Sequence, residues 1–280
     1  MLFLKRAIKN KSFVIGSIII LFFLALALIP SLFTGYDPTI SLNPDISSVR
    51  LLQPSSNYFL GTDDLGRDLW TRIVYGAQTS LQVGLLSVSI ALVFGSLIGL
   101  ISGYFGKYVE EILMRFIDII LAFPSILLAI LIVAILGPGL FNAMIAIGIV
   151  EIPMYARLMR SVTLSLKNQE YIESAKAIGA GHTRIIFRHI LPNCLSPLIV
   201  QATLGIGGAI LETAGLSFLG LGAQPPTPEW GSMLGNAKDF IRSAPWIITF
   251  PGIAIISVVL GFNLLGDGLR DLLDPYTKKT

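Results

Sequence analysis

The chain has 280 residues, of which 54% are hydrophobic and only 13% charged, and its net charge is +3. A soluble globular domain carries about 25% charged residues, so this composition argues against a water-soluble protein and favours one solvated by lipid. The small net charge gives no sign of nucleic-acid binding. The single cysteine, Cys194, excludes an internal disulfide framework.

The first apolar segment, Phe13–Phe33, follows a basic start. Secretory signal peptides share such a start, but their apolar core is only about 7–15 residues long. A run of about 20 residues instead matches the thickness of a bilayer. We therefore expect an uncleaved anchor helix, with a signal peptide as the less favoured alternative.

Five further apolar segments are long enough to cross a bilayer. Each must be helical, because hydrocarbon offers no partner to free backbone N–H and C=O groups. Pro124 and Pro153 are expected to kink the helices that contain them. A tight turn at Gly137-Pro138-Gly139 separates two of the segments. In chain order the five are about Leu81–Tyr104, Ile112–Leu136, Leu140–Leu158, Pro197–Leu219 and Trp246–Leu265.

These segments predict an all-α integral membrane protein with six transmembrane helices and both termini in the cytoplasm. With that orientation, 15 of the 20 Lys and Arg residues fall in inside segments, as the positive-inside rule requires. The chain then divides into an anchor helix with an external loop (1–80) and a five-helix core (81–280). The core includes a long cytoplasmic loop at 159–196.

The first half of the cytoplasmic loop predicts a short helix over Tyr171–Ile178. Asn168 is a plausible N-cap for it. Ala175 and Ala177 would give the helix a small surface that another protein can approach closely. Such a helix suits a groove in a cytosolic partner, and an ordinary loop at the membrane surface is the alternative.

The second half of the loop predicts a break and a basic amphipathic stretch. Gly179 and Gly181 are expected to end the short helix, because Gly tolerates the left-handed conformation that closes a helix. The amphipathic stretch follows, and Leu191-Pro192 is expected to stop it before the next membrane span.

Three features of this loop resemble the EAA loop of ABC-importer permeases: Glu173-Ser174-Ala175, then Gly179, then Leu191-Pro192. The residues around them, Tyr171-Ile172-Glu173 and Arg188-His189-Ile190-Leu191-Pro192-Asn193, resemble the branch that imports dipeptides, oligopeptides and nickel. Ser174 replaces the first Ala of the general pattern, and His189 stands where an aliphatic residue is usual.

Four more segments, in the right order along the chain, resemble the second permease subunit of that branch. They are Leu60-Gly61-Thr62-Asp63-Asp64-Leu65-Gly66-Arg67-Asp68, Leu216-Ser217-Phe218-Leu219-Gly220-Leu221-Gly222, Pro228-Glu229-Trp230-Gly231 and Phe262-Asn263-Leu264-Leu265-Gly266-Asp267-Gly268-Leu269-Arg270-Asp271. The resemblance therefore covers nearly the whole chain.

The resemblance implies the type I ABC-importer permease fold in the cytoplasmic membrane of a prokaryote. It implies binding-protein-dependent, ATP-driven import of di- or oligopeptides, with nickel, glutathione or another small solute as alternative cargo. The implied partners are a homologous second permease subunit, two cytosolic ATPase subunits that hold ATP and magnesium, and an external solute-binding protein. This chain itself would hold no cofactor or metal and no catalytic residue. The implied coupling residues are Tyr171, Glu173, Ser174, Ala175, Gly179, Leu191 and Pro192.

The external loop contains a compact charged cluster. Its members are Asp63, Asp64, Gly66, Arg67 and Asp68. Calcium needs several oxygen ligands in a compact loop, but an Arg within the cluster argues against a cation. We expect a structural turn with Asp caps and an Arg–Asp pair, with a calcium site or a contact for the binding protein as alternatives.

Two carboxylates, Glu151 and Glu212, fall inside predicted spans. Ionisable residues in a membrane usually face a cavity or a partner, so these either line a pathway or hydrogen-bond between helices, and the sequence leaves both open. The only histidines, His182 and His189, lie in the cytoplasmic loop, where a transported metal ion would not be held.

Two other classes of protein remain as alternatives. A membrane-embedded enzyme would need a convergent set such as Ser with His, paired Asp, or H-E-x-x-H, and none falls at useful depth. The chain also lacks a G-x-x-x-x-G-K-[ST] phosphate loop, so ATP hydrolysis is expected on another chain. A stand-alone channel or secondary transporter would leave the glycine-broken loop unexplained.

Overall fold

The computed structural model describes residues 2–273, with side chains from residue 6 onward. Within this range the chain is helical, and β structure is limited to one isolated pair between Thr62 and Asp68. The α-helices, in chain order, are α1 (Leu2–Lys9), α2 (Lys11–Leu28), α3 (Ile46–Val49), α4 (Leu69–Phe105), α5 (Lys107–Leu121), α6 (Ser125–Leu136), α7 (Leu140–Lys167), α8 (Glu170–Ala177), α9 (His182–Ile185), α10 (Leu191–Phe218), α11 (Trp230–Ala237) and α12 (Trp246–Leu273).

Five helices of the described chain are long and apolar enough to cross a membrane: α2, α4, α7, the continuous helix that joins α9 to α10, and α12. The pair α5 and α6 passes the same test together but is bent by 90°. The predicted all-α membrane architecture is therefore confirmed, and six spans result when the bent pair is counted as one.

The bent pair corrects the prediction of one kinked helix over Ile112–Leu136. Helix α5 ends at Leu121, and Pro124 adopts an extended backbone with ψ of 132° before α6 begins. Proline has no N–H to donate and disfavours helical geometry in the residue before it. Pro153 differs, because it lies inside the continuous helix α7.

Several predicted spans were too short. Helix α4 begins at Leu69 rather than Leu81, because Asp68 caps it there, and its 37 residues are about 55 Å long at 1.5 Å each. That exceeds a hydrocarbon core of about 30 Å. Hydropathy locates the apolar middle of a helix, whereas its polar ends continue beyond the lipid. The same reason extends α7 to Lys167, begins α10 at Leu191 and carries α12 to Leu273.

The predicted stop at Leu191-Pro192 is wrong. A π-helical turn at Ile186–Ile190 joins α9 to α10, and Leu191 N–H donates to the Ile186 carbonyl. Pro192 occupies the first turn of α10, where a missing N–H disrupts least. One helix therefore runs from the loop that was predicted to be cytoplasmic into the fifth span, where the sequence predicted a stop.

Two apolar cores hold the helices together. One joins α2, α4, α10, α11 and α12, and the other joins α4, α6, α7 and the segment from α8 to α10. Helices α4 and α7 approach closely because Gly95 and Gly103 of α4 have no side chain. A Cβ added at Gly95 would lie 2.6 Å from Tyr155 Cβ, and one added at Gly103 would lie 2.9 Å from Thr163 Cβ. Small residues allow such close crossings inside a membrane.

The bundle has two ends. We call the end formed by residues 105–107 and 168–181 the docking end, and the end formed by residues 29–68 and 219–245 the far end. Asn10 and Asp271 also meet at the docking end, through a 3.0 Å hydrogen bond from Asn10 Nδ2 to Asp271 Oδ2. Which end faces the cytoplasm stays a prediction from the charge distribution.

Candidate functional site

The short helix of the docking end is α8, shifted one residue from its predicted bounds. Gln169 is its N-cap, with an extended backbone and no side-chain cap. Asn168, predicted as the N-cap, instead ends α7, because α7 continues nine residues further than its apolar pattern. Glu170 and Glu173 lie in the first turn of α8, where negative charge favours the helix dipole.

Helix α8 ends in a Schellman motif. Gly179 N–H donates to the Lys176 carbonyl at 2.9 Å, and Ala180 N–H donates to the Ala175 carbonyl at 3.0 Å. Gly179 has φ of +80°, the left-handed conformation that this motif requires. Gly181 plays a different part from the one predicted, since its φ of −68° is ordinary and it caps the start of α9.

The two faces of α8 differ sharply. Ile172 and Ala175 are buried against the bundle, whereas Glu173, Ser174 and the C-cap Ile178 are exposed, Ile178 to 84%. The expectation that Ala175 contributes to an approachable surface is therefore wrong, while Ala177 is exposed as expected. What α8 offers to another molecule is a charged face that ends in one apolar side chain.

Of the remaining predicted coupling residues, Tyr171 lies in α8, and Leu191 and Pro192 begin α10. Tyr171 is exposed, and its ring centroid lies 6.4 Å from that of His189. Leu191 is half-buried and Pro192 exposed, both in the first turn of α10. The structure thus gathers this set at one end of the bundle, on either side of the Gly179 turn.

The acidic cluster of the far end is a tightly hydrogen-bonded turn. The Asp63 carboxylate accepts from Leu65 N–H and Arg67 N–H, each at 2.9 Å, and from Arg67 Nε at 2.7 Å. Asp68 caps α4 by accepting from Thr71 N–H at 2.8 Å. Gly66 makes the turn with φ of +69°. Partial burial and the nearby Asp63 charge raise the pKa of the Asp64 carboxyl.

Sequence reasoning missed the role of Arg72, which joins the loops of the far end. Its Nη1 donates to the Pro38 carbonyl at 2.6 Å and lies 3.4 Å from the Pro226 carbonyl, while its Nε lies 3.4 Å from Asp63. The side chain is almost fully buried. No local signal pointed to this role, because Arg72 falls in the predicted external loop, nine residues before the span predicted from Leu81.

The Pro228-Glu229-Trp230-Gly231 segment fixes α11 against the bundle. Glu229 accepts hydrogen bonds from Gly231 N–H and Ser232 N–H, both at 2.8 Å, and its burial raises the pKa of its carboxyl. Trp230 is fully buried, and its Nε1 donates to the Ile73 carbonyl at 3.1 Å.

Glu151 and Glu212 lie on α7 and α10, and both are half-buried. They are close enough to interact electrostatically. Glu212 Oε2 is buried with no hydrogen-bond partner among the described residues. Two carboxylates of predicted spans thus lie near each other on neighbouring helices.

The bundle has the fold of a solved ABC-importer permease. Chains of the MetNI methionine ABC transporter in inward-facing conformations have the same fold, with TM-scores of 0.60 and 0.58. At 19% identity, the match covers 72% of this chain and 96% of the first of those chains. That likeness defines the fold class of the protein.

Family models narrow the class. Residues 95–279 match the binding-protein-dependent transport system inner membrane component, and residues 1–54 match the N-terminal TM domain of oligopeptide transport permease C. The chain belongs to the family of binding-protein-dependent transport system inner membrane components. It is a multi-pass inner-membrane permease of an ABC importer and not an enzyme, and such a permease works with separate ATPase and binding-protein subunits.

Curated relatives match almost the full chain. The dipeptide transport system permease protein DppC of Alkalihalophilus pseudofirmus is 57% identical, over 98% of this chain and 89% of its own length. The DppC of Haemophilus influenzae is 47% identical over 97% and 92%. The glutathione transport system permease protein GsiD of Pectobacterium atrosepticum is 45% identical over 99% and 91%.

Proposed function

We propose that this chain is the second, C-type permease subunit of an importer for di- and oligopeptides. The supporting observation is its 57% identity, over 98% of the chain, to a dipeptide permease. Glutathione is the second candidate cargo, because a glutathione permease is 45% identical to this chain. Nickel remains a less supported alternative, because it rests on the family resemblance alone.

A homologous second permease subunit is proposed to cover the open face of α5 and α6. On α5 the apolar side chains of Ile112, Phe116 and Ile119 are exposed, and on α6 those of Leu131 and Ile135 are exposed. Helix α5 buries one residue, Ile117, within the described chain. A helix pair that packs so little on its own bundle suits a heterodimer interface.

Two cytosolic ATPase subunits are proposed to act on the permease pair, one of them on α8. The exposed face of α8, with Glu173 and Ser174, enters a groove of the ATPase. Its buried face, with Ile172 and Ala175, carries the motion into the bundle. The docking end then faces the cytoplasm with both termini, and the external binding protein delivers peptide at the far end.

The same proposal assigns roles along the chain. Residues 1–80 form the anchor and external loop and residues 81–280 the transport core, although residue 80 itself lies inside α4. The turn at Asp63 and Asp68 is structural, because its carboxylates are occupied by hydrogen bonds. Glu151 and Glu212 are proposed to line the pathway or to pair between helices.

Uptake by intact cells tests the cargo. Cells with and without the gene are offered labelled dipeptide, oligopeptide, glutathione and nickel in parallel. We expect loss of dipeptide and oligopeptide uptake, restored by the gene on a plasmid. Loss of glutathione or nickel uptake alone would contradict the peptide assignment, and the chain would then be a permease subunit with a different cargo.

A further inference from the structure

One aromatic side chain, Tyr104, lies where three segments of the docking end converge. It is the penultimate residue of α4 and is only 4% exposed. It packs in the same core as Ile172 of α8 and Ile185 of α9. Its position therefore relates a membrane-spanning helix directly to the loop that carries α8.

The contacts of Tyr104 fall on both sides of α8. Its hydroxyl shares a 2.8 Å hydrogen bond with His182 Nδ1, and the two rings meet edge to face with 5.6 Å between centroids. The Lys167 ammonium lies 5.9 Å from the centre of the Tyr104 ring, within the range of a cation–π contact. Lys167 is the last residue of α7, and His182 is the first residue of α9.

These two contacts bracket residues 168–181, the whole segment that contains α8. Helix α8 has only eight residues, and isolated helices shorter than about 12 residues are marginal in water. It buries two of its own side chains, Ile172 and Ala175. The orientation of α8 therefore depends on how the flanking residues are fixed, and both Lys167 and His182 contact Tyr104.

Tyr104 also adjoins the turn from α4 to α5. Gly106 has φ of 66° and ψ of −163°, a backbone region open almost only to glycine, and Lys107 follows with φ of 48°. Phe105 packs edge to face on Tyr104 with 5.2 Å between centroids. Tyr104 therefore adjoins both the loop that carries α8 and the turn that leads into α5.

We propose that Tyr104 is a positioning residue that mounts α8 on the end of α4, and that its hydrogen bond to His182 transmits the motion of α8 to the membrane helices. The inference rests on the proposed coupling function of α8. The role assigned to the Tyr104 hydroxyl is coupling, which is measured as the amount of peptide transported for each ATP hydrolysed. The exposed face of α8, not Tyr104, binds the ATPase.

The test uses the complete importer in proteoliposomes with its binding protein, ATP and labelled dipeptide. Uptake and ATP hydrolysis are measured together, and their ratio is the readout. Tyr104→Phe removes only the hydroxyl, and His182→Ala removes its partner. We expect each to lower the ratio about fivefold, the factor equivalent to one hydrogen bond, while ATPase subunits still co-purify.

Three further variants sharpen the result. Tyr108→Phe is the matched control, because Tyr108 is 80% exposed and should leave the ratio unchanged. Tyr104→Phe with His182→Ala should be no worse than either single change, since both remove the same bond. His182→Asn, which keeps a hydrogen-bonding group near Nδ1, should restore part of the ratio.

A normal ratio in Tyr104→Phe, or additive losses in the double variant, would overturn the inference. So would loss of the ATPase subunits from the Tyr104→Phe complex, because the hydroxyl would then serve attachment. Failure of the unaltered complex to move peptide would instead reject the proposed function, so the two failures are distinguishable.

Discussion

Arg160 on α7 donates a hydrogen bond from Nε to the Glu110 carboxylate on α5, with 2.7 Å between Nε and Oε1. A second ion pair joins the same helices, because Arg157 Nη2 lies 2.7 Å from Asp118 Oδ1. The polar face of α5 is thus fixed to α7 while its apolar face stays open. Two charge pairs hold a helix that otherwise packs little on the bundle.

Reversing the charge at Glu110 or Arg160 should loosen α5. Glu110→Arg or Arg160→Glu alone should lower both peptide uptake and the melting temperature of the purified importer, since like charges then face each other. Partly exposed pairs are worth about 0.2–1 kcal/mol, so the shift in melting temperature should be small. The double reversal should recover most of both. A double variant as impaired as the singles would contradict the pairing.

Gly179→Pro should leave insertion intact and abolish uptake. Proline requires φ near −65° and has no N–H, whereas Gly179 has φ of +80° and donates to the Lys176 carbonyl. Gly179→Ala should cost about 1 kcal/mol and reduce uptake in part. Gly181→Ala is the control, because Gly181 has ordinary φ and open space around it. Normal uptake by Gly179→Pro at normal abundance would disprove the coupling role of this turn.

Arg72→Lys should destabilise the far end. A single ammonium group cannot reach the Pro38 carbonyl, the Pro226 carbonyl and Asp63 together, as the guanidinium does. We expect a loss of about 1–3 kcal/mol, because buried carbonyl groups are left without a hydrogen-bond donor, and a lower melting temperature. Arg115→Lys, at an exposed site on α5, serves as the control. Equal melting temperatures for the two variants would show that Arg72 does not stabilise the loops of the far end.

Gly268→Ala should disturb the packing of the predicted anchor helix α2 on α12. A Cβ at Gly268 would lie 2.6 Å from Phe13 Cα, so the helices must separate. We expect faster proteolysis of α2 in the purified importer and a lower melting temperature. Gly252→Ala on the same helix has open space and should be neutral. If Gly268→Ala were equally neutral, the close crossing would be absent in the membrane.

Much of the fold followed from composition and local pattern. Apolar runs located every span, because a run long enough to cross the lipid can be recognised without knowing which helices pack against it. Their ends were placed less well: α4 begins at Leu69 and α7 ends at Lys167, where capping and tertiary contacts extend a helix beyond its apolar part. The break at Pro124 was expected only as a kink, since a sequence does not give the size of a bend.

The sequence by itself determined the membrane class, the apolar segments and the short helix closed by Gly179, because these depend on hydropathy and on local backbone preferences. Only the tertiary structure decided which face of α8 is buried, that Arg72 joins Pro38 to Pro226, and that Tyr104 meets His182. Those partners are separated by 34 to 154 residues along the chain. Nothing local distinguishes them until helix packing brings them within hydrogen-bonding distance.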